Sequence, residues 1–84
     1  MSFKIKLLDS ARNDIHEIID WYSGKEKRLG DRFYQALKSA MEYIKRNPYN
    51  CQIAYRDVRN KPLGKFPYQV HYCIEEPDKT LIVL

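Results

Sequence analysis

Residues Asn47–Ile74 read NPYNCQIAYRDVRNKPLGKFPYQVHYCI. The stretch opens on a helix stop, because Pro48 disfavours a helical conformation at the residue before it. Beyond the proline the apolar period changes from helical to alternating. Ile53–Arg59 reads as one strand and Pro67–Glu75 as another, with Asn60–Lys65 connecting them through Pro62 and Gly64. In the second of these strands Tyr68, Val70, Tyr72 and Ile74 share one face, while Gln69, His71 and Cys73 share the other. The apolar set is expected to meet helices. That leaves Gln69 and His71 on an open face, beside Arg56 and Arg59.

Upstream of Asn47 the pattern is helical. Leu29, Phe33, Ala36, Leu37, Ala40 and Ile44 recur on one face of a helix that ends at Asn47. An earlier helix carries Ala11, Ile15, Ile18 and Tyr22, with Ile19 widening the stripe. Ser10 is placed to cap its start and Gly24 to end it in a left-handed conformation. Before it, Phe3, Ile5 and Leu7 alternate with Lys4 and Lys6, the pattern of a strand with one buried face. Downstream, Glu76–Lys79 makes a turn and Thr80–Leu84 forms a last apolar strand. The reading is α+β, in the order β-α-α-β-β-β: a two-helix hairpin on one face of a small, mostly antiparallel sheet. The short connections make the last three strands a meander.

Charge is concentrated in the same region. Lys45, Arg46, Arg56, Arg59, Lys61 and Lys65 stand against Asp57 alone, a net of +5 where the whole chain carries +4. A basic surface on strands and their loops suits an acidic or polyanionic partner, although a solvated lysine-rich surface has the same composition. With 84 residues there is room for one domain, which buries about 60% of the surface its unfolded chain exposes. The N-terminus lacks the continuous apolar run of a signal peptide, and Leu81–Leu84 is far short of a membrane span. Cytoplasmic residence is the expectation. Cys51 and Cys73 are too few for a disulfide framework or a zinc ligand set, so neither metal nor cofactor is expected.

These residues resemble the RelE/ParE superfamily, the toxin halves of bacterial type II toxin–antitoxin pairs of the plasmid stabilisation type. The resemblance rests on ARNDIHEIIDWY in the first helix, LGDRFYQAL opening the second, and NP followed by YRDVRNKPLGKFPYQVHYCIE. It spans essentially the whole chain. It implies a single toxin domain over 1–84, a cognate antitoxin as partner, and a cellular target engaged by the open face. Arg56, Arg59, Lys61, Lys65, Tyr68, Gln69 and His71 form the expected target-contacting set. Trp21, at the margin of the first helix's stripe, is either core edge or part of the antitoxin's seat.

Departures from the superfamily's pattern divide the functions it implies. Its ribosome-dependent nucleases carry an arginine directly after the aromatic of this strand, where the present chain has Gln69. An amide supplies neither charge nor a bidentate fork to a phosphate. The segment after the last strand, where the nucleases place a further arginine and often a tyrosine or histidine, is also expected to be absent here. Arg59 and Lys61 do resemble the nucleases' basic pair. Three readings follow: a ParE-like toxin that binds a target such as DNA gyrase, a RelE-like mRNA endonuclease at the ribosome, or an inactive toxin-fold interaction module. Homodimerisation without the antitoxin, through the apolar strand Leu81–Leu84, is a further expectation.

Other constellations carry less. His16-Glu17 begins like H-E-x-x-H, but Asp20 stands where the second histidine is required. His71 and Cys73 share a strand face, which alternation alone often produces. Glu75, Glu76 and Asp78 cluster at a turn and read as solvated. Gly24, Gly30 and Gly64 are isolated, so no phosphate-cradling loop exists.

Overall fold

The structure is a computed structural model that describes residues 3–84. Strand β1 (Lys4–Leu7) leads into helices α1 (Asp9–Lys25) and α2 (Lys27–Arg46), followed by β2 (Gln52–Tyr55), β3 (Val58–Pro62), β4 (Gln69–Glu75) and β5 (Thr80–Val83). The strands form one sheet in the order β1-β5-β4-β3-β2. β1 lies parallel to β5 and every other neighbouring pair is antiparallel. The α+β order expected from sequence is present, with β3-β4-β5 as the meander.

Three local expectations are corrected. The run Ile53–Arg59 is not one strand but a hairpin that turns at Arg56 and Asp57, with Arg56 at φ +48°. β3 therefore continues through Asn60 to Pro62, and the link to β4 is Leu63–Tyr68, turning at Gly64 (φ +63°). Ser10 does not cap α1. The helix begins one residue earlier, because Leu8 completes the β1 ladder by donating its N–H to Val83 O at 3.1 Å. Nor does Gly24 end α1. The helix runs through it to Lys25, and the chain breaks at Glu26, whose φ of −161° is extended backbone.

The last turn of α2 matches the sequence reading: Asn47 is its C-cap and returns its N–H to Tyr43 O at 2.8 Å. Lys45 and Arg46 in that turn complement the helix dipole. Apolar residues of α2 (Phe33, Leu37, Ala40, Ile44) meet Val70 and Tyr72 of β4 and Leu81 and Val83 of β5 in the core. Gly30 is buried where the two helices approach. A Cβ there would stand 1.9 Å from Ser23 Oγ and 3.3 Å from Ile19 O, so close packing of the hairpin depends on its absence.

An aromatic cluster fixes the link between β3 and β4. Phe33 stacks with Tyr22 at 5.6 Å between centroids, and Phe66 and Tyr68 meet Phe33 edge-on at 5.4 and 5.8 Å. Leu63 is buried beneath them. By contrast α1 fully buries only Ala11, while Ile15, Ile18, Ile19 and Tyr22 remain partly covered.

Strand β5 is an interior strand, paired on both sides. Dimerisation by adding a strand to Leu81–Leu84 is therefore blocked along Leu81–Val83, whose backbone groups already bond to β1 and β4. Among the described residues, no helix is long and apolar enough to cross a membrane.

Tyr72, fully buried in β4, donates its hydroxyl to Pro48 O at 2.7 Å. Burial first, and then the neighbouring Cys51, push its phenol well above the ordinary value of 10.0. A raised phenol favours the protonated form in the fold, so this contribution is complete below about pH 10 and lost as pH rises further. Tyr72→Phe should cost about 1–3 kcal/mol near neutrality, the penalty of leaving Pro48 O without its donor. The variant should also lose less stability than the wild type between about pH 9 and pH 11 in urea denaturation.

Candidate functional site

Strand register assigns each candidate side chain to a face, since directly paired residues point the same way. Arg59 pairs with Tyr72 and Lys61 with Val70, so both share the face that meets the helices. Asn60 pairs with His71 and Pro62 with Gln69, and these share the open face with Cys73 and Val58. Through β5 and β1 the open face continues to Ile82, Thr80, Lys6 and Lys4. The expected contact set is thus divided between two faces.

On the helix side, Arg59 is committed to the backbone. Its Nη1 donates to Cys51 O at 2.8 Å and to Tyr49 O at 3.1 Å, and its guanidinium lies 5.5 Å from the Tyr49 ring. Tyr49 in turn donates its hydroxyl to Glu76, and that hydrogen bond, more than any burial, raises its phenol. Lys61 lies over the Tyr43 ring of α2, 4.6 Å from its centroid. Both cations therefore hold the β-sheet to the end of α2.

On the open face, Asn60 Nδ2 donates to Gln69 Oε1, making a neutral amide pair beside His71. Asn60 was not singled out from sequence, because the stretch around Pro62 read as a loop. The signal available was the alternation continuing through Val58, Arg59, Asn60 and Lys61. Cys73 is two residues from His71, and burial, then the carboxylate of Asp57, pushes its thiol up. A thiol held protonated is a poor nucleophile, so the His71–Cys73 couple lacks the activation that covalent chemistry needs.

The remaining candidates occupy the edges of the molecule. Arg56 sits at the exposed tip of the β2–β3 hairpin, and Lys65 at the exposed tip of the Leu63–Tyr68 link. Tyr68 belongs to the aromatic cluster and shows only part of its ring. Trp21 is 58% exposed, edge-on to Tyr22, with Lys25 Nζ 5.1 Å from its centroid. Among the described residues, no group of three or more His, Cys, Asp or Glu side chains is placed to hold a metal ion.

Two apolar grooves flank α1. The first, of about 350 Å³, runs between α1 and strands β4 and β5 over Ile15, Ile18, Val70 and Val83, with Asp14 and Glu17 at its rim. The second, of about 490 Å³, lies between β1 and the helix pair over Ile5, Leu7, Ile19 and Met41. Its rim is mostly basic: Arg12, Lys38 and Lys45, with Glu42 paired to Lys45 at 3.4 Å.

The protein family described as ParE toxin of type II toxin-antitoxin system, parDE, matches residues 5–84, from the first strand through the last. No curated protein matches the chain.

The division of the cations by face has a measurable consequence. Arg59→Ala should lower stability by about 1.5–3 kcal/mol, since it removes charge-assisted hydrogen bonds to two carbonyls. Arg56→Ala and Lys65→Ala, which remove exposed charges only, should each change it by less than about 0.5 kcal/mol in the same denaturation experiment.

Proposed function

The chain belongs to the ParE toxin family of type II toxin–antitoxin systems, and on that premise we propose that it acts by binding a protein target such as DNA gyrase. In this reading a cognate antitoxin neutralises it, and it does not cleave RNA. The observation that carries the reading is the commitment of Arg59 and Lys61. The pair that resembles the nucleases' cations is turned to the helix side, with Arg59 bonded to the carbonyls of Tyr49 and Cys51 and Lys61 over Tyr43.

Phosphoryl transfer needs preorganised positive charge where negative charge develops. The open face offers Gln69 and Asn60 instead, bonded to each other and neutral. His71 alone supplies an imidazole there, and Cys73 is held as the thiol. Such a face is suited to recognition through hydrogen bonds and shape. Arg56 and Lys65, on exposed tips at the margin of the sheet, add charge that steers an acidic target and fixes register. We assign target contact to Arg56, Lys65, Tyr68, Gln69 and His71, with Arg59 and Lys61 as their support.

Purified protein should inhibit gyrase supercoiling and leave ribosome-bound mRNA intact. Arg56→Ala combined with Lys65→Ala should weaken inhibition by about tenfold, the effect of two exposed interface charges, without lowering the melting temperature. Rapid cleavage of ribosome-bound mRNA, abolished by His71→Ala, would replace this reading with the endonuclease. A chain inert in both assays and harmless when expressed would leave only the interaction module.

A further inference from the structure

The sheet has two outer strands, β1 and β2, and they differ in what surrounds them. β2 is exposed along its whole length, and its pairing with β3 is irregular between Ile53 and Tyr55. Irregularity of that kind twists an edge away from a further strand. β1 is regular. Its Lys4 N–H bonds to Lys79 O at 3.0 Å, and Leu8 N–H closes the other end on Val83 O. By alternation, the N–H and C=O groups of Ile5 and Leu7 point away from β5, to the side where no strand follows. Phe3 N–H is occupied by Lys45 O at 3.1 Å, so the open length begins at Ile5.

Beside that open edge lies the larger groove, floored by Ile5, Leu7, Ile19 and Met41 and rimmed by Arg12 and Lys38. On the other side of the same strand, Lys4 and Lys6 are exposed on the open face. A strand added to β1 would therefore meet two environments with period two. Side chains pointing to the helix side would enter an apolar groove, while those between them would lie beside Lys4 and Lys6.

We propose that the outer edge of β1 and its adjoining groove are a docking site for an extended protein segment in which large apolar and acidic residues alternate. The proposal rests on the reading above that a partner protein neutralises this chain. Main-chain hydrogen bonds to Ile5 and Leu7 supply the pairing, and the alternation supplies the specificity. A second copy of this chain does not fit. Its own β1 would bring Lys4, Lys6 and the same basic rim against their equivalents, and like charges across strands repel. The groove on the other side of α1, edged by Asp14 and Glu17, repels an acidic segment, so charge selects between the two grooves. The lysines that deter self-pairing at this edge are the ones that attract the acidic strand.

Isotope-labelled full-length protein titrated with two synthetic peptides tests the site. One alternates isoleucine with glutamate and the other isoleucine with lysine. The glutamate peptide should bind at least tenfold more tightly, and it should slow amide exchange at Ile5 and Leu7 specifically. In Lys4→Glu/Lys6→Glu, whose changes are confined to exposed side chains, the preference should invert. Equal binding of the two peptides overturns the proposal. So does protection that falls on Gln52–Tyr55 or on the groove edged by Asp14, or an absence of binding by either peptide. Should the double variant fail to fold, the comparison of peptides on the wild-type chain decides alone. A protein that inhibits gyrase but fails this titration keeps its proposed function and loses only this site. One that passes the titration but is inert toward gyrase keeps the site and loses the proposed target.

Discussion

The five residues between α2 and β2 have their carbonyls captured from the sheet, and the rest of the molecule depends on that capture. Pro48 O accepts the Tyr72 hydroxyl, while Tyr49 O and Cys51 O accept the Arg59 guanidinium. Tyr72 and Arg59 are direct partners across β3 and β4. A connector that leaves a helix at a proline has backbone acceptors with no ladder to join, and burying them without donors would be costly. Satisfying them from paired strands fixes the end of α2 over the sheet. The core residues Ile44, Ala40, Leu37 and Phe33 then follow along the helix. An arginine that sequence pattern offers as a phosphate ligand is, in this fold, the means of closing the core.

That use of Arg59 bears on what kind of protein this is. The helix side of the sheet is consumed by structure: Tyr72 and Arg59 hold the connector, Lys61 rests on Tyr43, and the aromatic ring cluster holds Leu63–Tyr68. The open face keeps small polar groups, and the exposed cations Arg56 and Lys65 stand at turn tips. α1 lies against α2 without sealing its own apolar stripe, which leaves a groove on each side of it. A chain with a half-covered helix and an open strand edge is built to be completed by other protein surfaces.

Local signals in the sequence carried a large part of this. Pro48 ends α2 at Asn47 because of a clash between adjacent residues. The helical period of Phe33, Leu37, Ala40 and Ile44 marks the buried face of α2, and alternation from Val70 to Ile74 marks the two faces of β4. None of these needs a distant partner. The same holds for charge: residues 45–65 are basic however the chain folds. The departure at Gln69 was legible in the same way, as the replacement of a charged side chain by an amide.

Only the tertiary structure decided how strands pair, and therefore which way side chains point. A turn at Arg56 and Asp57 converts one apparent strand into two and sets the register of β3 against β4. Register determines face, so Arg59 and Lys61 turn toward the helices while Asn60 joins Gln69 and His71. Leu81–Leu84 looks like an exposed sticky strand from its apolar composition, yet β1, nearly the whole chain away, covers its free side. Strand order is a property of contacts between distant residues, and periodicity along the chain contains no record of it. The sequence by itself determined where the elements lie and which of their faces are apolar. Pairing across the sheet decided which cations support the fold, which residues form the open face, and which edge was left unpaired.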